Sequence, residues 1–134
     1  MIHVIKKNIN NAIKYLSDKM IFGFGCGIQG RRSGYYLSEW GIGKKIVAFI
    51  DNDVLKIGHQ MEYLGCKYPI IGLSDAIKMI DEYEIYGKKC VILVTSLSYN
   101  EIYRQLEETY LERELYCMSM DEIAGEQFKK SDYD

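Results

Sequence analysis

The chain has 134 residues, of which 48% are hydrophobic, and its formal net charge is -2. This is the size of one globular domain, and so small a charge, with Lys and Arg scattered along the chain, argues against nucleic acid as a partner. No uncharged apolar run approaches the roughly 20 residues that cross a bilayer, so we expect no membrane span.

Cysteine and histidine usage gives no sign of a metal or redox centre. The four cysteines, Cys26, Cys66, Cys90 and Cys117, include no C-x-x-C pair, and the chain has only two histidines. Two thiolates at that spacing are what one metal ion or one redox centre usually requires. We therefore expect no metal site, and the sequence fits a reducing, cytoplasmic location.

The N-terminal segment, residues 1–19, is predicted to be an amphipathic helix over residues 3–18. Its apolar residues recur at three- and four-residue spacing, with Lys and Asn between them. They are Val4, Ile5, Ile9, Ala12, Ile13 and Leu16. Such a stripe either docks on a second copy of the chain or a partner enzyme, or covers one face of the sheet that follows.

Residues 20–126 are predicted to form a doubly wound parallel α/β domain, Rossmann-like, with about five strands. Strands are expected at residues 20–24, 45–50, 68–71, 90–95 and 115–118. Helices are expected at residues 29–40, 73–83 and 99–110 and from residue 121, and residues 54–67 are predicted to form a loop. Alternation of strands and helices at this spacing implies right-handed crossovers. The polar tail, residues 127–134, is expected to be frayed.

This topology predicts where a ligand would bind. The chain reverses its winding direction between the first and the fourth predicted strand, so a crevice is expected at their carboxyl ends. Residues 25–27 would form one lip of the crevice, and Thr95 and Ser96 the other. The two hydroxyls are candidates for contacts with a ribose or another sugar, or are ordinary polar groups of a loop.

A glycine-rich motif occupies the first lip. Residues 25–30, Gly-Cys-Gly-Ile-Gln-Gly, form a G-x-G-x-x-G pattern between a predicted strand and a predicted helix. In such a motif the first glycine makes a tight turn, the second admits a pyrophosphate to the backbone amides, and the third allows close helix packing. The helix N-terminus adds unpaired N–H groups and partial positive charge. Candidate cofactor-binding residues here are Gly23, Gly25, Cys26, Gly27, Ile28, Gln29 and Gly30.

An acidic residue follows at the expected distance. Asp51 lies 21 residues after Gly30, directly after the second predicted strand, and Asn52 is its neighbour. A carboxylate there accepts hydrogen bonds from ribose hydroxyls and repels a 2′-phosphate, which favours NAD over NADP. The alternative is structural: the glycines make only a tight turn and Asp51 only caps a loop. Ligand binding requires loop amides that are free of protein partners and a carboxylate that faces the crevice.

Three other features have weaker interpretations. Arg31 and Arg32 lie in the first turn of the predicted helix, where they contact a phosphate or are solvated. Cys26, at a helix N-terminus, has either a lowered thiol pKa or simply a small side chain that fits a crowded loop. Tyr63 and Lys67 have the Y-x-x-x-K spacing of a dehydrogenase dyad, but that dyad requires a helix, which Gly65 disfavours.

Several segments together resemble a known family. This chain resembles Rossmann-like domains of the nucleoside-diphosphate-sugar epimerase and dehydratase type. The resemblance lies in the runs 21–27 (Ile-Phe-Gly-Phe-Gly-Cys-Gly), 47–53 (Val-Ala-Phe-Ile-Asp-Asn-Asp, with Lys56 and Gly58 after it), 68–71 (Tyr-Pro-Ile-Ile), 92–95 (Ile-Leu-Val-Thr) and 99–102 (Tyr-Asn-Glu-Ile). Such domains occur free-standing or fused to enzymes of surface-polysaccharide biosynthesis. The resemblance implies that Gly25, Gly27 and Gly30 face phosphates and that Asp51 faces a ribose.

The resemblance also implies limits. The catalytic Tyr-Lys pair and the sugar pocket of full epimerases are not recognised in this sequence, so no catalytic residue is assigned and we expect a binding or accessory module. A similar pattern occurs in the NADH-sensing domain of redox-responsive repressors. Those repressors bind DNA through a winged helix, which is not recognised in this sequence.

Two other functions remain open. Residues 23–27 also satisfy the G-x-G-x-G loop that binds S-adenosylmethionine, although Phe22 occupies the position where such loops usually carry a carboxylate. The third possibility is an interaction protein with a vestigial Rossmann core, in which the N-terminal helix docks on a partner.

Overall fold

A computed structural model describes residues 1–63 and 66–125. Within them lie seven strands and five helices that alternate over most of the chain. The strands are β1 (Ile2–Val4), β2 (Met20–Phe24), β3 (Ile46–Ile50), β4 (Gln60–Tyr63), β5 (Cys66–Ile71), β6 (Cys90–Val94) and β7 (Leu115–Ser119). The helices are α1 (Ile9–Leu16), α2 (Ile28–Glu39), α3 (Leu73–Ile85), α4 (Tyr99–Thr109) and α5 (Met120–Ala124). The predicted frayed tail, residues 127–134, lies outside the described residues.

All seven strands belong to one sheet, in the order β1-β7-β6-β2-β3-β5-β4. Neighbouring strands are parallel except β4, which runs antiparallel to β5. The predicted α/β class with a mostly parallel sheet is confirmed, but the expected number of five strands is wrong. The chain reverses direction where β2 lies beside β6, with Phe24 opposite Val94 at their carboxyl ends. This is the crevice position that strand–helix alternation predicts.

Helices cover both faces of the sheet because successive strand residues point to opposite sides. One core contains Ile21 of β2 and residues from α1, α2 and α5. The other contains Phe22 and Phe24 of β2 and residues from α3 and α4. β2 and β6 are therefore buried on both faces, which explains their nearly continuous apolar sequences. Fully burying one such side chain contributes about 1.5–3 kcal/mol.

The N-terminal prediction of one helix over residues 3–18 is wrong. Residues 2–4 form β1, which pairs with β7 with His3 opposite Tyr116. The helix starts only at Ile9, where the Asn8 side chain caps it by accepting from the Asn11 N–H at 3.0 Å. A strand of three residues is too short to show a period of two, so the apolar pattern of the helix extended over it.

The apolar stripe of α1 packs on its own sheet. Ala12 and Leu16 are fully buried in the core they share with Ile21. Of the two roles considered for this stripe, cover for a sheet face is the one observed.

Residues 54–67, predicted to be a loop, contain β4 and the start of β5. These strands form an antiparallel pair in which Met61 lies opposite Tyr68. Met61 is buried at 7% exposure, while Glu62 beside it is exposed. The hairpin excludes the helix that a Tyr63–Lys67 dyad requires, since both residues lie on strands.

Serine residues precede two of the helices, and only one of these side chains makes a capping hydrogen bond. Ser98 is the N-cap residue of α4, but its side chain makes no such bond. Ser119 before α5 does cap, accepting from the Glu122 N–H at 3.3 Å. Within the described part of the chain, no helix is long and apolar enough to cross a membrane.

Candidate functional site

A cleft of about 240 Å³ opens at the carboxyl ends of β2, β3 and β6. Seven of the predicted site residues line it: Gly25, Cys26, Gly27, Gln29, Asp51, Asn52 and Ser96. Phe24 and Ile102 complete its wall. Residues from three separate segments, predicted independently of one another, are thus brought to one place.

The three motif glycines have different surroundings. Gly25 has a φ of +124°, which a residue with a side chain rarely adopts. A Cβ at Gly30 would lie 2.3 Å from the Gly25 carbonyl oxygen, so the loop and the helix are too close for any side chain there. At Gly27 a Cβ would meet nothing within 4 Å. The turn and the close packing are therefore built into the fold, and Gly27 faces open space.

The N-terminus of α2 presents unpaired donors to this open space. Gly27 is the N-cap residue and no side chain caps the helix. The Arg31 N–H makes the first bond of the helix, to the Gly27 carbonyl at 3.2 Å. The N–H groups of the preceding helical residues, Ile28 and Gln29 among them, have no partner within the helix, and they carry part of its positive N-terminal charge.

Gln29, a lining residue of the cleft, carries an unsatisfied polar atom. Its side-chain oxygen is buried and has no hydrogen-bond partner among the described residues. Buried polar atoms are nearly always paired in folded proteins. A donor from outside the described residues, such as a water molecule or a ligand, would satisfy this atom.

Asp51 is engaged by the protein itself. Its carboxylate accepts the Cys26 N–H at 3.0 Å and the Asp53 N–H at 2.8 Å, and the Lys56 ammonium lies 4.0 Å away. The loop-capping role considered for Asp51 is therefore present in the structure. A carboxylate has about four acceptor positions, so these two backbone bonds leave at most two for other donors.

Not every loop amide is free, contrary to what the simplest pyrophosphate hypothesis requires. The Cys26 N–H is bound to Asp51, and the Gly25 N–H donates to the Ile50 carbonyl at 2.8 Å. These two bonds tie the loop after β2 to the end of β3. The donors available to a ligand are consequently those at the helix start, after Gly27.

Thr95, Gly23 and Ile28 are predicted site residues that do not line the cleft. Thr95 is fully buried, and its hydroxyl donates to the Gly25 carbonyl at 2.7 Å instead of facing the cleft. A Cβ at Gly23 would lie 2.5 Å from the Phe49 ring, so this glycine serves packing within the sheet. Ile28 exposes 64% of its surface and contributes its backbone to the helix start.

Ser96 and Asn52 lie at opposite margins of the cleft. The Ser96 hydroxyl oxygen accepts the Ser98 N–H at 3.0 Å, which shapes the loop after β6. At the other margin the Asn52 carboxamide exchanges two hydrogen bonds with the Gln105 carboxamide, each of 2.9 Å. Gln105 belongs to α4 and was not singled out from the sequence, because neither motif nor spacing connects it to residue 52.

The Cys26 thiol is not activated by the helix N-terminus. Burial and the neighbouring Asp51 carboxylate raise its pKa to about 12. Both causes disfavour the thiolate. The interpretation of Cys26 as a small residue in a crowded loop fits this environment, and the reactive thiol does not.

We expect Cys26 to resist alkylation in the folded protein. With a pKa of about 12, roughly one thiol in ten thousand is ionised at pH 8. Iodoacetamide should therefore modify the exposed Cys66 at least about tenfold faster than Cys26. Peptide mass spectrometry over a time course measures both rates, and in guanidinium chloride the two rates should become similar. Faster modification of Cys26 in the folded state would contradict the structure.

A second cavity lies at the opposite end of the sheet. It measures about 570 Å³ and is bordered by Tyr15, Lys19, Lys88 and Lys89 near the start of β6. This cavity is larger than the cleft, but its lysines do not form a converging binding site. Lys88 and Lys89 are exposed, and Lys19 already bonds to Asp18 at 2.7 Å. Ligands of parallel sheets bind at the carboxyl ends of the strands. The smaller cleft is therefore the better candidate.

Metal coordination finds no support in residues 1–63 and 66–125. No group of three or more His, Cys, Asp or Glu side chains there could hold a metal ion. All four cysteines belong to these residues and none forms a disulfide. Arg31, considered as a phosphate ligand, is exposed at the helix start and does not line the cleft.

Comparisons with protein-family models, with curated proteins and with solved structures found no match to this chain. Its function must therefore be inferred from the cleft itself.

Proposed function

We propose that this chain is a Rossmann-like domain that binds the diphosphate of NAD(H) or of a nucleotide-sugar at the N-terminus of α2. The observation that carries the proposal is the helix start at Gly27, which no side chain caps and which borders the open cleft. Anions bind at such termini because the N–H groups and the helix dipole act together. The ribose next to the diphosphate would lie beside Asp51, on the acceptor positions that Cys26 and Asp53 leave unused.

Cleft size limits how much of the ligand is enclosed. About 240 Å³ is below the roughly 300–1,000 Å³ typical of pockets that surround a drug-sized molecule. We infer that the cleft holds a diphosphate and part of a nucleoside, while the remainder of the ligand lies at the surface. That arrangement suits an accessory module that presents a nucleotide or nucleotide-sugar to a partner enzyme, and no catalytic residue is assigned.

A thermal-shift panel tests the proposal. The ligands are NAD, NADH, UDP-glucose and S-adenosylmethionine, each at several concentrations. A ligand at about 100 times its Kd stabilises the folded state by roughly 2.7 kcal/mol, which moves the Tm of a domain this size by several degrees. We expect a shift with NAD(H) or UDP-glucose. A shift with S-adenosylmethionine alone would favour the methyltransferase alternative, and no shift with any of the four would contradict the proposal.

Gly27→Ala should separate binding from folding. Because the new methyl group meets no protein atom within 4 Å, we expect the Tm of the free protein to change by only a few degrees. The same methyl group would occupy the space through which a diphosphate approaches the helix start, so the ligand-induced shift should be lost or strongly reduced. An undiminished shift in Gly27→Ala would place the ligand elsewhere.

A further inference from the structure

The Asn52–Gln105 pair closes one side of the cleft. Asn52 follows Asp51 at the end of β3 and lines the cleft, while Gln105 lies on α4 three residues after Ile102, another lining residue. Residues three apart on a helix share a face. The two carboxamides therefore span the cleft margin between the end of β3 and α4, next to the carboxylate beside which the proposed ribose would lie.

The two side chains satisfy each other in a reciprocal way. Asn52 Nδ2 donates to Gln105 Oε1 and Gln105 Nε2 donates to Asn52 Oδ1, both at 2.9 Å. Each carboxamide thus offers an adjacent donor and acceptor to its partner. The edge of a nucleobase offers the same pairing, and Asn and Gln bind adenine in this bidentate manner. Asn52 is exposed and Gln105 half-buried, so water can replace either bond at small net cost.

We propose that Asn52 and Gln105 exchange their mutual hydrogen bonds for bonds to the base of the bound nucleotide, and that this base is adenine. The inference rests on the proposed function, because it places the base on the far side of a ribose at Asp51. Adenine has a donor next to an acceptor at N6 and N7, whereas guanine presents two acceptors, N7 and O6, on the corresponding edge. The half-buried Ile102 side chain, on the face of α4 that Gln105 shares, provides an apolar contact for the ring.

Calorimetric titration with ADP, GDP, UDP and inorganic pyrophosphate tests the base contact. We expect ADP to bind about tenfold or more tightly than GDP or UDP, as one good bidentate pair allows. Asn52→Ala and Gln105→Ala should each reduce this ratio towards one by weakening ADP binding more than pyrophosphate binding. Asn11→Ala is the matched control, since it removes an exposed carboxamide from α1, and it should leave the ratio as in the unmodified chain.

The outcomes distinguish the two proposals. Binding of none of the four probes would overturn the proposed function together with the base contact. Equal binding of ADP, GDP and UDP, or an ADP preference that survives both substitutions, would overturn only the role of the carboxamides. Gln105→Met, which keeps length and helix propensity, replaces Gln105→Ala if circular dichroism shows that the alanine variant has lost helix.

Discussion

Replacing Gly30 with alanine should lower the free energy of unfolding by about 1–3 kcal/mol. The new Cβ would lie 2.3 Å from the backbone oxygen of Gly25, and backbone cannot swing aside as the end of a long side chain can. Either α2 must move away from the loop or the loop must lose its hydrogen bonds to Asp51 and Thr95. Urea titration followed by circular dichroism measures the loss.

Gly27→Ala is the control for this effect, since it adds the same methyl group three residues earlier in open space. Its unfolding midpoint should stay close to that of the unmodified protein. If Gly30→Ala were as stable as Gly27→Ala, the close approach between the loop and the helix would be wrong, and with it the geometry of the proposed diphosphate site.

The second large effect is expected for Asp51→Ala. Two backbone N–H groups, those of Cys26 and Asp53, lose a charged acceptor, and a hydrogen bond to a charged group contributes about 1.5–3 kcal/mol. Because the site is partly exposed, water can replace some of the hydrogen bonds that these two N–H groups lose. We therefore expect a total destabilisation of about 2–4 kcal/mol. The measurement is again urea unfolding, with Asp53→Ala as the control because its carboxylate accepts the N–H of the exposed Leu55.

Ligand binding by the Asp51 variants separates the two roles considered for this residue. If Asp51 only holds the loop, Asp51→Asn should weaken pyrophosphate and NAD by the same factor. If it also contacts a ribose, NAD should lose more affinity than pyrophosphate, which has no sugar. Calorimetric titration gives both affinities, and unchanged binding of NAD would remove Asp51 from the site.

The central strands could be predicted because burial on both faces leaves a continuous apolar sequence. β2, β3 and β6 are such strands, and the glycines that follow β2 mark the crevice at its carboxyl end. The edge strands β1 and β4 could not be predicted in this way. β1 has only three residues, and β4 mixes exposed and buried positions in a short hairpin. Strands that short show no clear period, so their pairing depends on distant partners.

The sequence indicates which residues lie near the cleft, but not the hydrogen bonds that they make there. Sequence spacing identified Asp51 and Thr95, but nothing local indicates that Asp51 accepts the Cys26 N–H or that Thr95 donates to the Gly25 carbonyl. No local sequence pattern predicts the role of Gln105, since it pairs with a residue 53 positions away. Such contacts arise only when three strands bring their ends together.

The pairing of β1 with β7 constrains the order in which the chain can fold. Among the strands that the structure describes, β1 pairs with β7 alone, so during synthesis it can form this pairing only after residues 115–119 have left the ribosome. Chains usually acquire structure from the N-terminal end as they emerge. Here a strand made before the other six can pair only after the last of them has been made, and contacts so distant in sequence slow folding.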